Sequence, residues 1–171
     1  IAQQVRQCVI MGGTSDSYGN ISPVAEANIW HDPEAARIVF DSGMPITMVG
    51  WDIARKYAVL EPADMARLRA IGTPLARFCV DIQATLQRFV QTVTRLPGVD
   101  MADPVAMAVA LDPAIATKVL RAPVVVDTTD GPGRGQTIID HRGILGRTHA
   151  AEVVVEADWA RFVGLLERAV Q

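Results

Sequence analysis

Between Gly19 and Asn28 the chain reads Gly-Asn-Ile-Ser-Pro-Val-Ala-Glu-Ala-Asn, with Asn20, Glu26 and Asn28 set among small or apolar neighbours. A carboxylate only accepts hydrogen bonds, whereas a carboxamide both donates and accepts. Glu26 flanked by Asn20 and Asn28 therefore suits adjacent hydroxyls, such as the vicinal diol or hydroxymethyl group of a sugar. The same residue types in a loop containing Gly and Pro also cap turns and helices, and spacing alone leaves both readings open. A further carboxylate, Asp103, heads the apolar run that closes at Asp112-Pro113. A helix there would favour an anionic group at its N-terminus through its dipole, and an ordinary N-cap is the competing reading. His31, His141 and His149 join neither group and read as surface or hydrogen-bonded histidines.

These residues need elements to position them. Cys8 to Met11 reads as a short buried strand ending abruptly at Gly12-Gly13, and Ile46 to Val49 as a second. Asp32 caps a helix from Pro33 to about Ser42, with Gly43 past its end, and Asp52 caps a short helix through Ala58. From Pro74, the residues Leu75, Phe78, Ile82, Leu86, Phe89 and Val90 recur at helical spacing, which predicts one long amphipathic helix packed on the sheet. Pro104 to Leu111 predicts a short helix buried on most sides. Val124 to Val126 and Thr137 to Ile139 read as strands joined by the loop around Gly131 to Gly135, with Val153 to Val155 as another. Asp158 caps a terminal helix with Trp159, Phe162, Val163, Leu166 and Val170 on one face. Strands alternating with helices predict an α/β sheet with helices on both sides, and strand-end loops in such folds are where sites are built.

Half of the 171 residues are apolar and one fifth are charged, the balance of a packed globular chain. The formal charge of -3, with scattered arginines, argues against direct nucleic-acid binding. No apolar stretch approaches the roughly 20 residues a membrane-spanning helix needs. Cys8 and Cys79 lie far from any ligand-like spacing and read as buried thiols, which fits a reducing, cytoplasmic setting.

The segments Met11-Gly12-Gly13, Gly19-Asn20, Ser22 to Asn28 and Asp32 to Ala36 resemble, in order, the pattern of the inosine-uridine preferring nucleoside hydrolases. Those enzymes are metal-dependent N-ribohydrolases. Gly50-Trp51-Asp52 resembles that family's strand-end segment, Ala102-Asp103-Pro104 its His-Asp-Pro segment, and Gly133 to Thr137 its last hairpin. The resemblance implies a Rossmann-like fold of which residues 1–171 are the C-terminal part, a mainly parallel sheet flanked by helices. It implies that Asn20, Glu26 and Asn28 contact the ribose of a ribonucleoside, with Met11 lining the pocket, and that Asp103 is a calcium ligand. It also implies hydrolysis of the N-glycosidic bond by a calcium-activated water, and homo-oligomers.

Two departures qualify what it implies. The family's N-terminal aspartate cluster, which supplies most metal ligands and the general base, has no counterpart here, since Asp127-Thr128-Thr129-Asp130-Gly131 reads as a turn. Asp103 alone cannot hold calcium, which takes about six to eight oxygen ligands. Ala102 occupies the position of the family's proton-donor histidine. The chain opens at Ile1 without a methionine, so an N-terminal half or a second chain is expected to complete the enzyme, and the isolated chain is expected to be inactive and to self-associate. The alternative is a non-catalytic, degenerate nucleoside-binding or assembly module. Arg95 to Asp100 offers no aromatic side chain to stack on a base, and base specificity stays open.

Overall fold

A computed structural model describes residues 2–171. Strand β1 (Cys8–Met11) pairs in parallel with β2 (Ile46–Val49), and β2 in parallel with β8 (Ala151–Ala157). Strand β5 (Ala116–Ala122) closes the order β1-β2-β8-β5 as an antiparallel edge. Continuous apolar runs make β1 and β2 because parallel strands are covered on both faces. Alternation then sorts their side chains. Val9, Met11, Val49 and Val154 pack on one face against α3 (Trp51–Tyr57), α7 (Ala102–Leu111) and α8 (Trp159–Ala169). Cys8, Ile10, Met48 and Val153 pack on the other face against α1 (Ala27–His31), α2 (Pro33–Phe40) and the hairpin of β6 (Val124–Val126) and β7 (Thr137–Ile139). Among the described residues no helix is long and apolar enough to cross a membrane.

Several expectations hold closely. Asp32 caps α2 by accepting from the Ala35 N–H, and Asp158 caps α8 by accepting from the Arg161 N–H; of the face expected on α8, Phe162, Val163 and, at its C-cap, Val170 are buried, Leu166 is half-buried and Trp159 is exposed. The run from Asp127 is a turn, in which the Asp127 carboxylate accepts from both the backbone and hydroxyl of Thr129. His31, His141 and His149 are exposed.

Other expectations change. The helix from Pro33 stops at Phe40, and a separate turn, α1, precedes it with Glu26 as its cap. Gly50, not Asp52, is the cap of α3; Asp52 sits in the first turn, fully buried, and accepts from the backbone and hydroxyl of Ser15. Helix α7 begins at Ala102 after Met101, so Asp103 is a first-turn residue and not an N-cap, and Met107 and Leu111 of this helix face solvent. Cys8 and Cys79 are half-buried.

The single long helix expected from Pro74 is three pieces: α5 (Pro74–Asp81), α6 (Ala84–Phe89) and a π-helical turn over Val90–Thr94. Its large apolar stripe does not face the sheet: Leu75, Phe78, Ile82 and Phe89 are 50%, 60%, 54% and 49% exposed. Helix α5 packs instead through Ala76, Cys79 and Val80, against the core of α4 (Pro62–Ala70). Ala76, Cys79 and Val80 also recur at helical spacing, so the period is compatible with either face, and the smaller side chains allow the closer approach.

Strand β5, Ala-Thr-Lys-Val-Leu-Arg-Ala, is not expected from the sequence, because its strand-favouring Thr117 and Val119 stand among Ala, Lys and Arg. Its Lys118 and Arg121 are exposed, Lys118 pairs with Glu156 of β8, and the register shifts between Ala116 and Val119, all features that blunt a sheet edge. The short pair β3 (Val59–Leu60) and β4 (Val99–Asp100) is antiparallel, with Val59 opposite Asp100, and carries the chain back to the sheet's upper rim.

Candidate functional site

The loop from Gly12 to Glu26 leaves the carboxyl end of β1 and folds back on itself. Gly13 adopts φ +72, and a Cβ there would lie 2.6 Å from Thr137. At Gly19 a Cβ would meet the Ala25 carbonyl at 2.2 Å, so the turn that presents Asn20 closes only without a side chain. The Thr137 hydroxyl accepts from the Thr14 N–H at 2.9 Å and donates to the Thr14 carbonyl at 2.7 Å, tying the loop to β7.

Glu26 is the hinge of this arrangement. Its carboxylate accepts from Asn28 N at 2.8 Å and Ile29 N at 3.3 Å, capping α1, and from Gly13 N at 2.9 Å across the loop. It is 2% exposed. The capping and ligand-binding readings of this residue are therefore compatible: three backbone donors fix the carboxylate at the wall of a cleft. Asn20 Oδ1 accepts from Ala27 N at 2.9 Å, and Asn28 Nδ2 donates to the Met11 sulfur at 3.1 Å. Among the described residues Asn20 Nδ2 and Asn28 Oδ1 have no protein partner, which leaves one donor and one acceptor.

Met11, Asn20, Glu26 and Asn28 line a single cleft of about 300 Å³, together with Ala102 and Asp103 at the start of α7. All the site residues expected from the sequence thus meet, at the carboxyl ends of parallel strands. The structure adds lining residues that sequence reasoning missed: Trp51 from the start of α3, Gln83 and Leu86 from α6 and the turn before it, and Asp100 and Met101 from β4 and its exit. Asp100 stands 49 residues from Trp51 and is met by its indole, Nε1 donating to Oδ2 at 2.5 Å. No local signal joins two residues so far apart.

Trp51 is itself clamped. Tyr18 stacks on it with ring centroids 5.9 Å apart, and the Arg55 guanidinium lies 4.7 Å from the Tyr18 ring centroid. Arg55 and Lys56 both pair with Asp16. Partial burial alone would raise the Asp16 carboxyl, but hydrogen bonds from Lys56, Thr14 and Arg55 and the Arg55 charge hold it below the ordinary carboxylate range.

Among the described residues no group of three or more His, Cys, Asp or Glu side chains could hold a metal ion. Asp103 and Asp100 bring carboxylates to the cleft, and Asp100 is already engaged through one oxygen. Against the six to eight or so oxygens of a calcium shell, this chain's donors form at most one side of a site.

A family model described as inosine-uridine preferring nucleoside hydrolase matches residues 1–164. The pyrimidine-specific ribonucleoside hydrolase RihA of Salmonella enteritidis is 37% identical over 169 residues, 98% of this chain and 53% of that protein. RihA of Shewanella woodyi is 37% identical over 172 residues. Among solved structures, a plant nucleoside hydrolase superposes with a TM-score of 0.90 at 26% identity, covering 99% of this chain and 54% of the other. A purine-preferring ribonucleoside hydrolase from Gardnerella vaginalis gives 0.83 at 33% identity, covering 96% and 51%. The chain spans about half the length of the curated relatives it matches. With the cleft, the strand order and a match across nearly its full length in agreement, the chain belongs to the inosine-uridine preferring nucleoside hydrolase family.

Proposed function

We propose that the protein of which these residues form the C-terminal part hydrolyses the N-glycosidic bond of ribonucleosides to ribose and free base. The observation that carries this reading is the gathering of Met11, Asn20, Glu26 and Asn28 with Asp103 on one cleft. Asn20 donates and Asn28 accepts through the groups their own backbone contacts leave over, and the Glu26 carboxylate fixes their spacing, so sugar hydroxyls are held at set positions. Binding energy at the ribose then orients the anomeric carbon for attack by water. Asp103 would give one carboxylate to a calcium ion, whose other ligands would come from an N-terminal half or second chain. Such an ion, when bound, lowers the pKa of a water molecule on it. Ala102 has no proton to give, so the departing base is protonated by another donor or by solvent. The same reading takes the protein as cytoplasmic and homo-oligomeric.

Ala102 and the lack of a complete ligand cluster among the described residues favour a second reading, a nucleoside-binding module without turnover. The test is ribose release by the full-length protein from a nucleoside panel, with calcium or with chelator, beside Asp103→Ala. Calcium-dependent release that Asp103→Ala abolishes is the expected result. Calcium-dependent release retained by Asp103→Ala overturns the metal assignment, and nucleoside binding without release overturns hydrolysis in favour of the binding module.

A further inference from the structure

We propose that Asp100 is a specificity-determining residue of the cleft, accepting a hydrogen bond from an N–H group on the base of the nucleoside. The proposal rests on the hydrolase reading above. Asp100 ends β4, half-buried, with its backbone fixed by pairing to Val59. Its Oδ2 is held by Trp51 Nε1 at 2.5 Å, and Trp51 is held in turn by the Tyr18 stack, 10° from parallel, and by the Arg55 cation above it. A carboxylate anchored this way has one orientation. Among the described residues Oδ1 has no protein partner, so it stands on the cleft as an acceptor for a ligand donor.

The position of Asp100 says which part of the ligand it meets. Asn20, Glu26 and Asn28 line the cleft from the β1 loop and α1, whereas Asp100 lines it from β4, with Gln83 and Leu86 from α6 and the turn before it. A ribose held by the first group leaves its base for the second. Leu86 offers apolar surface to a flat heterocycle. Asp100 can only accept, so it favours bases that present an amino or imide N–H toward it. The departing base gains negative charge in the transition state, and a carboxylate does not stabilise that charge. The contact therefore acts in binding, and its loss appears in KM more than in kcat.

The test uses the full-length protein and two substrate pairs, uridine against its ring-N-methylated form and cytidine against its amino-dimethylated form. In the unaltered protein the N–H member of each pair should have a kcat/KM higher by roughly 10- to 100-fold, the range for a hydrogen bond to a charged group. In Asp100→Asn the amide oxygen accepts from Trp51 and its NH2 turns to the cleft, so the N–H substrates alone lose, through KM, and the ratio falls toward one. Trp51→Phe, which frees the carboxylate, should lower the ratio partway. Equal losses on all substrates in Asp100→Asn, or an unchanged ratio, would overturn the role of Asp100 while leaving the hydrolase reading intact. No ribose from any nucleoside in the unaltered protein would overturn the hydrolase reading, and this inference with it.

Discussion

Removing the Glu26 carboxylate should destabilise the fold as well as the ligand wall, because one buried side chain serves three backbone donors. Two of these, Asn28 N and Ile29 N, are the orphan donors at the start of α1, and losing such a cap costs about 1 kcal/mol. The third, Gly13 N, belongs to a separate segment, buried at the start of the β1 loop. Leaving a buried N–H without an acceptor costs about 1–3 kcal/mol. Glu26→Ala should therefore lower stability by about 2–4 kcal/mol, a large share of the 5–15 kcal/mol or so that holds a typical domain. Glu26→Gln keeps the shape and one acceptor oxygen but points an NH2 at either Gly13 N or Asn28 N. It should cost about 1–3 kcal/mol, from one lost acceptor. The assay is urea unfolding of the unaltered protein and both variants, followed by far-UV circular dichroism, with unchanged slopes required for the comparison. Stabilities of both variants within about 0.5 kcal/mol of the unaltered protein, the range of an ordinary surface substitution, would refute the view that these donors depend on Glu26.

Two further outcomes follow from the loop and from the exposed helix. The Asp16 carboxyl is held below its ordinary value in the folded state, so its contribution is fully present above the unfolded value of about 3.9 and is lost as pH falls below it. Asp16→Asn should accordingly lower Tm at pH near 7, and the gap to the unaltered protein should begin to narrow below pH about 3.9 and keep narrowing with further acid in thermal melts; a gap that widens toward acid would reverse the sign. The isolated chain should self-associate through the exposed stripe of Phe78, Ile82 and Phe89. The triple change of these residues to Ser should shift it to smaller species in size-exclusion chromatography while altering stability little, and an unchanged profile would point to another surface.

The local part of this protein was legible from residue order. The apolar runs Cys8–Met11 and Ile46–Val49 read as strands, the second fully buried and the first half-buried at the end of the sheet, and Asp32 and Asp158 announce their helices because a short acceptor side chain beside a helical period satisfies orphan N–H groups. Likewise the amide and carboxylate spacing of Asn20, Glu26 and Asn28, with Met11 before and Asp103 far after, resembled one family closely enough for all five to be singled out, and they line one cleft.

Tertiary structure decided the rest. β8 inserts between β2 and β5 although it is the last strand in the chain, and β5, Ala-Thr-Lys-Val-Leu-Arg-Ala, takes its place as a mixed, largely exposed edge because β8 offers it a partner. The face that α5 turns inward was ambiguous, since Ala76, Cys79 and Val80 recur at the same period as Leu75, Phe78 and Ile82 and only the space beneath selects between them. Trp51 and Asp100 meet across 49 residues because β4, paired with β3, lies beside the start of α3. Periodicity and capping are properties of a few consecutive residues and survive in the sequence, whereas strand order, the choice of packing face and long-range contacts depend on which distant segments come to lie together.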